Sequence, residues 1–431
     1  MLLIVKPAKC LKGEALIPAS KSHSVRAVFA GLLAEGFSEA TINNACADVY
    51  SVAKVAKSLG AEVLIQGDKW LFKGVGGRLK VPVDILDVGN SGTGLFITMA
   101  IASLIDGYSV VSGDEQIRYN PGRYAQPLLN ALKDLGAEAF SLRGDGKPPV
   151  VVKGVIKGGR TRLPGVNSQW LTPLLMATPL AKSNTEIYVE DLHEKPYIEM
   201  TLQWLERCGV RVEHEDFKLF HVEGNQQYKP YRFTLPGDWE SASYVLSAGA
   251  LVKDAEVTVY GVDTEDVQGD KVIVSILKEM GAEVKVKDHG ITVASVGELE
   301  GVEIDCKNLP DAIPHLAVLG SYAKGKTVLK NIAASRLKET DRPVTIKMEL
   351  EKMGARIDLK ENEMVIHHSE LQGAWIDGHQ DHRIIMATAL AGMIAKGTTI
   401  ISGAEYYAKS FPTFYDVFKS LGADILRVEE I

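Results

Sequence analysis

The chain has 431 residues, of which 46% are hydrophobic and 24% charged, and a net charge of −7. That length exceeds what one core fills and that composition excludes disorder, while the acidic balance excludes a general binder of nucleic acid or anionic membrane. Its apolar runs are too short for a signal peptide or a membrane span, and Cys10, Cys46, Cys208 and Cys306 stand apart without metal-binding or disulfide spacing. A cytoplasmic protein is therefore expected.

Along the chain, one segment recurs: an amphipathic helix pattern, a glycine stop, then a short alternating strand. The copies read VAKSLGAEVLI, ALKDLGAEAF, LERCGVRVE, LKEMGAEVKV, LEKMGARIDL and FKSLGADIL. In the first, Val52, Val55, Ala56 and Leu59 fall on one helical face, and Gly60 sits where a left-handed residue ends the helix. The six stops, Gly60, Gly136, Gly209, Gly281, Gly354 and Gly422, are spaced by 76, 73, 72, 73 and 68 residues, so the chain is an array of six units.

Between these segments runs a second series of helices, each with a polar opening and an apolar body. The openings are Lys21-Ser22-His23, Asn90-Ser91-Gly92-Thr93, Asn167-Ser168-Gln169, Asp238-Trp239-Glu240, Asp311 and Asp381-His382-Arg383. Bodies such as GLFITMAIASLI and IIMATALAGMIA are apolar on nearly every face and should be buried. The pattern predicts an α/β fold of six βαβαββ-like units, three per domain, around buried parallel helices. The first lobe is expected at 20–236 and the second at 1–19 plus 237–431.

Parallel buried helices would bring their N-termini together. Such ends present unpaired N–H groups and partial positive charge, so six of them could serve one anion site in an acidic protein. The cations gather there: Lys21, Arg26, Arg336, Lys338, Arg342, Arg383 and Lys409 lie at helix starts or in connectors. Spaced arginines suit carboxylate forks and lysines suit phosphate, so a small substrate carrying both groups is the expected partner. Of the acids among them, Asp311 and Glu339 are candidates for proton transfer. Asp341 and Asp381 read equally well as salt-bridge partners, and His382 as a group orienting a neighbour.

The strings KSHSVRA, DVGNSGTG, NSQWLTPLLM, EKPYIEM, DWESASYVLSAGAL, VQGDK, LPDA, RLKETDR, DHRIIMA and AKSFP resemble the 5-enolpyruvylshikimate-3-phosphate synthase family of enolpyruvyl transferases. The resemblance spans essentially the whole chain. It implies two inside-out α/β domains that close on substrate, with no metal or organic cofactor and a monomeric protein. It also implies transfer of the enolpyruvyl group of phosphoenolpyruvate to the 5-hydroxyl of shikimate 3-phosphate. By resemblance, Asp311 is the base, Lys21 and Glu339 are the candidates for proton delivery, and His382 belongs to the catalytic set. Arg342 and Arg383 match the positions holding the phosphoenolpyruvate carboxylate, with Lys409 beside its phosphate. Ser22, Arg26, Ser168, Gln169, Tyr197 and Lys338 match acceptor positions, Asn90 joins the binding set, and Gly92 matches a backbone approach to phosphate.

Departures concentrate in the first lobe. Phe96 stands where the family carries arginine, as does Gln116 or Asn120 in the following loop, with Arg118 or Arg123 as possible replacements. Asn167 and Glu194 replace phosphate-binding serines, and Ala334 replaces an acceptor asparagine. A carboxylate facing a phosphate dianion repels it unless it turns away or is protonated. These departures leave two alternatives: a paralogue acting on another acceptor or on an enolpyruvylated compound, and a non-catalytic anion binder. The related UDP-N-acetylglucosamine transferases fit less well, because their loop cysteine has no counterpart between Gly113 and Pro121.

Overall fold

Among the described residues, twelve helices and six sheets carry the repeat. The computed structural model describes residues 1–287 and 290–429. It divides into two compact units, one of Met1–Pro18 with Pro236–Ile431 and the other of Ala19–Leu235.

Each sheet has four strands in one pattern: a parallel pair, then two antiparallel neighbours. The second repeat of the Ala19–Leu235 unit displays the logic. Strand Leu86–Asp87 leads into the buried helix Gly92–Ala102, which returns the chain to pair strand Tyr108–Ser112 in parallel. A parallel pair needs such a crossover, whereas the next strands need none. The amphipathic helix Gln126–Asp134 follows, and Glu138–Ser141 and Val150–Lys153 close the sheet as a hairpin.

Two repeats obtain their leading strand from a distant part of the chain. Arg232–Thr234 pairs with Glu35–Thr41 ahead of helix Lys21–Leu33, and Lys12–Leu16 pairs with Glu256–Tyr260 ahead of helix Trp239–Leu251. The first residues also complete the last repeat, because Leu2–Val5 lies between Thr399–Ser402 and Ile425–Val428.

The helices divide as their patterns predict. Every residue of Trp239–Leu251 is buried, as are all but the last of His382–Ile394. The amphipathic helix Ala47–Ser58 buries Val49, Val52, Ala53, Val55 and Ala56 and turns its lysines outward. All six stop glycines have positive φ, from 74° at Gly209 to 112° at Gly60, a region where a Cβ is disfavoured.

Among the described residues, no helix is long and apolar enough to cross a membrane.

Candidate active site

The expectation that six helix starts offer open N–H groups to anions is narrowed by the caps. Ser91 accepts from the Gly94 amide, Asn167 from Gln169, Asp238 from Ser241 and Asp381 from Arg383. These side chains satisfy donors that a ligand would otherwise use. Helices Lys21–Leu33 and Ile313–Tyr322 have no side-chain cap.

In the unit formed by the chain's two ends, Arg342 is the centre of the site. It opens helix Arg342–Lys352, is wholly buried, and meets three carboxylates. Its Nε donates to Asp381 Oδ2 at 2.9 Å and its Nη2 to Glu339 Oε2 at 2.7 Å, while its Nη1 pairs with Asp311. Burial alone would lower its pKa, but Asp381, Glu339 and Asp311 together hold it well above the ordinary guanidinium range.

Lysines border the same acids. Lys409 Nζ lies 2.6 Å from Glu339 Oε1, and Lys338 Nζ lies 3.8 Å from Asp311 Oδ2. Arg383, at the start of helix His382–Ile394, pairs with Glu240 at the start of Trp239–Leu251, and its guanidinium carbon stands 5.9 Å from the centre of the Tyr244 ring. Asp311, Glu339, Lys338, Arg342, Arg383 and Lys409 are thus brought together.

His382 is buried with Nδ1 3.7 Å from Asp381 Oδ1, placing it as a neighbour of the carboxylate that holds Arg342. Glu339, Asp381 and His382 bring one possible ligand atom each within 4.8 Å, yet Arg342 already grips both carboxylates and its charge opposes a cation there.

One residue of the cationic list has other duties. Arg336 forks Asp341 at 2.7 and 3.1 Å and holds the carbonyls of Lys360 and Glu361, while Asp341 caps helix Arg342–Lys352. Ala334 is buried in the turn Ala333–Leu337.

The Ala19–Leu235 unit holds the remaining candidates. Lys21 and Ser22 open helix Lys21–Leu33. Arg26, one turn on, is buried and donates to Thr201 Oγ1, the Ser22 carbonyl and the Tyr197 carbonyl at 2.9 Å each, and to Thr172 Oγ1 at 3.4 Å. Four of its five N–H groups are thereby used in bracing three helices, which leaves at most one for a ligand. Burial brings this guanidinium down to about 10.

Gln169 links two helix starts by donating from Nε2 to Thr93 Oγ1 at 3.2 Å, and Asn90 donates to Asp114 Oδ2 at 2.7 Å. Phe96 is buried in the body of its helix. The cation beside Gly92 is Arg123: a Cβ at Gly92 would lie 2.4 Å from its Nη1. Arg118, the other candidate, is tied to the carbonyl of Gly113 in its own loop. Arg123 is therefore a candidate binding residue signalled in the sequence only by an arginine in the connector. Glu194 is fully buried and accepts from the amide and hydroxyl of Ser168.

The unit with Arg342 can clamp a carboxylate between guanidinium groups, with two carboxylates and two lysines at hand for proton transfer and a second anion. Similar proteins match the chain over nearly its whole length. The family model described as EPSP synthase (3-phosphoshikimate 1-carboxyvinyltransferase) matches residues 5–418. Curated relatives named 3-phosphoshikimate 1-carboxyvinyltransferase include one from Acetivibrio thermocellus, 44% identical over 100% of both chains. Another, from Methanocaldococcus jannaschii, is 43% identical over 98% of this chain and 99% of that one. A solved EPSP synthase from Acinetobacter baumannii superposes with a TM-score of 0.84 at 26% identity, covering 99% of this chain and 100% of that one.

Proposed function

Because the chain belongs to the EPSP synthase family, we propose that it transfers the enolpyruvyl group of phosphoenolpyruvate to the 5-hydroxyl of shikimate 3-phosphate and releases phosphate. The observation that carries this reading is the buried Arg342 cluster. A guanidinium that already forks carboxylates in a desolvated site is built for the carboxylate of phosphoenolpyruvate, with Arg383 as the second arm.

The chemistry follows in two steps. The acceptor oxygen attacks C2 of phosphoenolpyruvate as its proton passes to Asp311, while C3 gains a proton from Lys21 or Glu339. That gives a tetrahedral adduct carrying both the phosphate and the new ether. A proton then leaves C3, the C2–O bond to phosphate breaks, and the enol ether remains.

Asp311 suits the base role because its second oxygen faces Lys338 while the first is held by Arg342, which fixes the carboxylate's orientation. Lys409, on Glu339, is placed to balance the leaving phosphate. His382 positions Asp381, and through it Arg342. On the acceptor side we assign Ser22, Asn90, Gly92, Ser168, Gln169, Tyr197 and Lys338 to binding, with Arg26 as their brace and Arg123 as an added cation. The protein is read as a cytoplasmic monomer.

The test is phosphate release from phosphoenolpyruvate by purified protein, with and without shikimate 3-phosphate. Release that depends on the acceptor is expected, and its absence at millimolar substrates would sink the proposal.

A further inference from the structure

The start of the buried helix Ser168–Ala177 carries a group that enolpyruvyl transfer does not require. Glu194 is fully buried, and its Oε2 accepts from the Ser168 amide at 2.8 Å and from the Ser168 hydroxyl at 2.7 Å. The following amide, that of Gln169, donates to Asn167 Oδ1 at 3.0 Å. A helix start stabilises negative charge through its N–H groups and dipole. Here a residue of the chain itself supplies that charge.

The backbone gives an independent sign that this placement is held by contacts. Glu194 has φ 56° and ψ 36°, a left-handed conformation just ahead of helix Lys195–Arg207. A side chain with a Cβ disfavours that region and stays in it only where surrounding interactions over-determine it. The pair of bonds to Ser168 is such an interaction.

The geometry points to Glu194 as an internal competitor for the acceptor's phosphate, a carboxylate that must leave the Ser168 donors before a phosphate can take the same two hydrogen bonds. This rests on the proposed reading that Ser168 and Gln169 receive shikimate 3-phosphate. The Ser168 amide and hydroxyl have one hydrogen each, so two anions cannot both be served by them. In a buried site the repulsion between a carboxylate and a phosphate dianion also excludes the state with both docked.

Affinity for a phosphorylated acceptor is therefore reduced by the fraction of molecules in which Glu194 is docked. An acceptor without phosphate meets no such competition. Glu194 is a specificity-determining residue that acts against weak anions: only one that binds Ser168 better than the resident carboxylate gains the site.

The experiment is calorimetric binding of shikimate 3-phosphate and of shikimate to the wild type and to Glu194→Gln and Glu194→Ser, with thermal melting to check folding. Glutamine keeps an oxygen for Ser168 but removes the charge, and serine leaves the donors open. A charge-assisted hydrogen bond is about twice as strong as a neutral one, so Glu194→Gln should tighten shikimate 3-phosphate by about tenfold. Glu194→Ser should tighten it at least as much, and carries the same reading where the glutamine variant does not fold. Shikimate should bind unchanged in both.

A folded variant that binds shikimate 3-phosphate no better than the wild type, or gains equally for shikimate, overturns the competitor role and leaves Glu194 a helix cap. A wild type that shows no acceptor-dependent phosphate release overturns the functional reading instead, and this inference with it.

Discussion

Replacing Arg342 by methionine tests whether one guanidinium holds the carboxylates of Asp311, Glu339 and Asp381 in place. The change keeps a long apolar stem but removes the charge. Glu339 still has Lys409 at 2.6 Å and Asp311 still has Lys338 at 3.8 Å, so both retain a cation. Asp381 does not fare as well: fully buried, it keeps the Thr340 hydroxyl at 2.9 Å and the Arg383 amide at 2.9 Å, with no arginine side chain on its oxygens. Breaking a buried ion pair by removing one partner costs about 3–5 kcal/mol, which lowers the melting temperature of a domain of this size by roughly 6–20 °C.

Calorimetric melts of the wild type and of Arg342→Met should show this deficit directly, because the buried carboxylate of Asp381 has lost its arginine partner. Adding Asp381→Asn should recover part of the loss, since the stranded charge is gone. A variant that melts within about 2 °C of the wild type would refute the account, because a stranded buried charge cannot be that cheap.

Asp311→Ala should fold, because Arg342 keeps Asp381 and Glu339, and should abolish turnover while substrate binding remains measurable by calorimetry; loss of folding would make Asp311 structural. Gly92→Ala places a Cβ 2.4 Å from Arg123 Nη1 and so displaces that cation. Steady-state kinetics of Gly92→Ala and of Arg123→Ala should each give a KM for an anionic substrate raised by roughly tenfold or more, as for one lost charged hydrogen bond, and unchanged values would remove Arg123 from the site. His379 Nε2 lies 2.8 Å from Glu349 Oε1, and that hydrogen bond raises His379 above its ordinary 6.5. Burial pushes Glu349 up, but His379 and Lys352 outweigh it and hold the carboxyl below its ordinary 4.5. The histidine's contribution is complete below 6.5 and fades as pH rises through the raised value; the glutamate's is complete above 4.5 and fades as pH falls through the lowered one. The melting-temperature difference between wild type and His379→Ala should therefore peak within that window and shrink in alkali, and a difference that ignores pH would exclude the pair.

Periodicity made the helices legible. Apolar residues at helical spacing ahead of Gly60 or Gly354, and bodies apolar all round such as IIMATALAGMIA, correspond to half-buried and buried helices in the structure. The exchanged leading strands were not legible, because Lys12–Leu16 and Arg232–Thr234 are too short to show a period and pair far along the chain. In the site, chemistry-bearing residue types were readable but their partners were not. Arg26 reads as a ligand cation, yet its donors are spent on Thr201, Ser22, Tyr197 and Thr172. Arg118 and Arg123 read alike as replacements for the missing charge, and it is Arg123 whose guanidinium lies against Gly92. Glu194 reads as a charge conflict; that its carboxylate reaches Ser168 depends on a left-handed turn that no propensity signals.

A repeat copied six times cannot keep six equal anion sites, because each helix start must satisfy its own first N–H groups. Ser91, Asn167, Asp238 and Asp381 do so from within the chain, and those starts then serve as platforms for side chains. Asp381 illustrates the shift: the carboxylate that caps helix His382–Ile394 at the Arg383 amide also fixes the Nε of Arg342. Arg342, Arg383, Lys338 and Lys409, proposed above to meet substrate charge, have their own charges balanced by Asp311, Glu339, Asp381 and Glu240. A protein with a net charge of −7 can in this way hold a local cationic site without leaving buried charge unpaired. Under the proposed function, an entering carboxylate would exchange with an internal one at Arg342 or Arg383, which would make the acids around those arginines, as much as the arginines, determinants of substrate affinity.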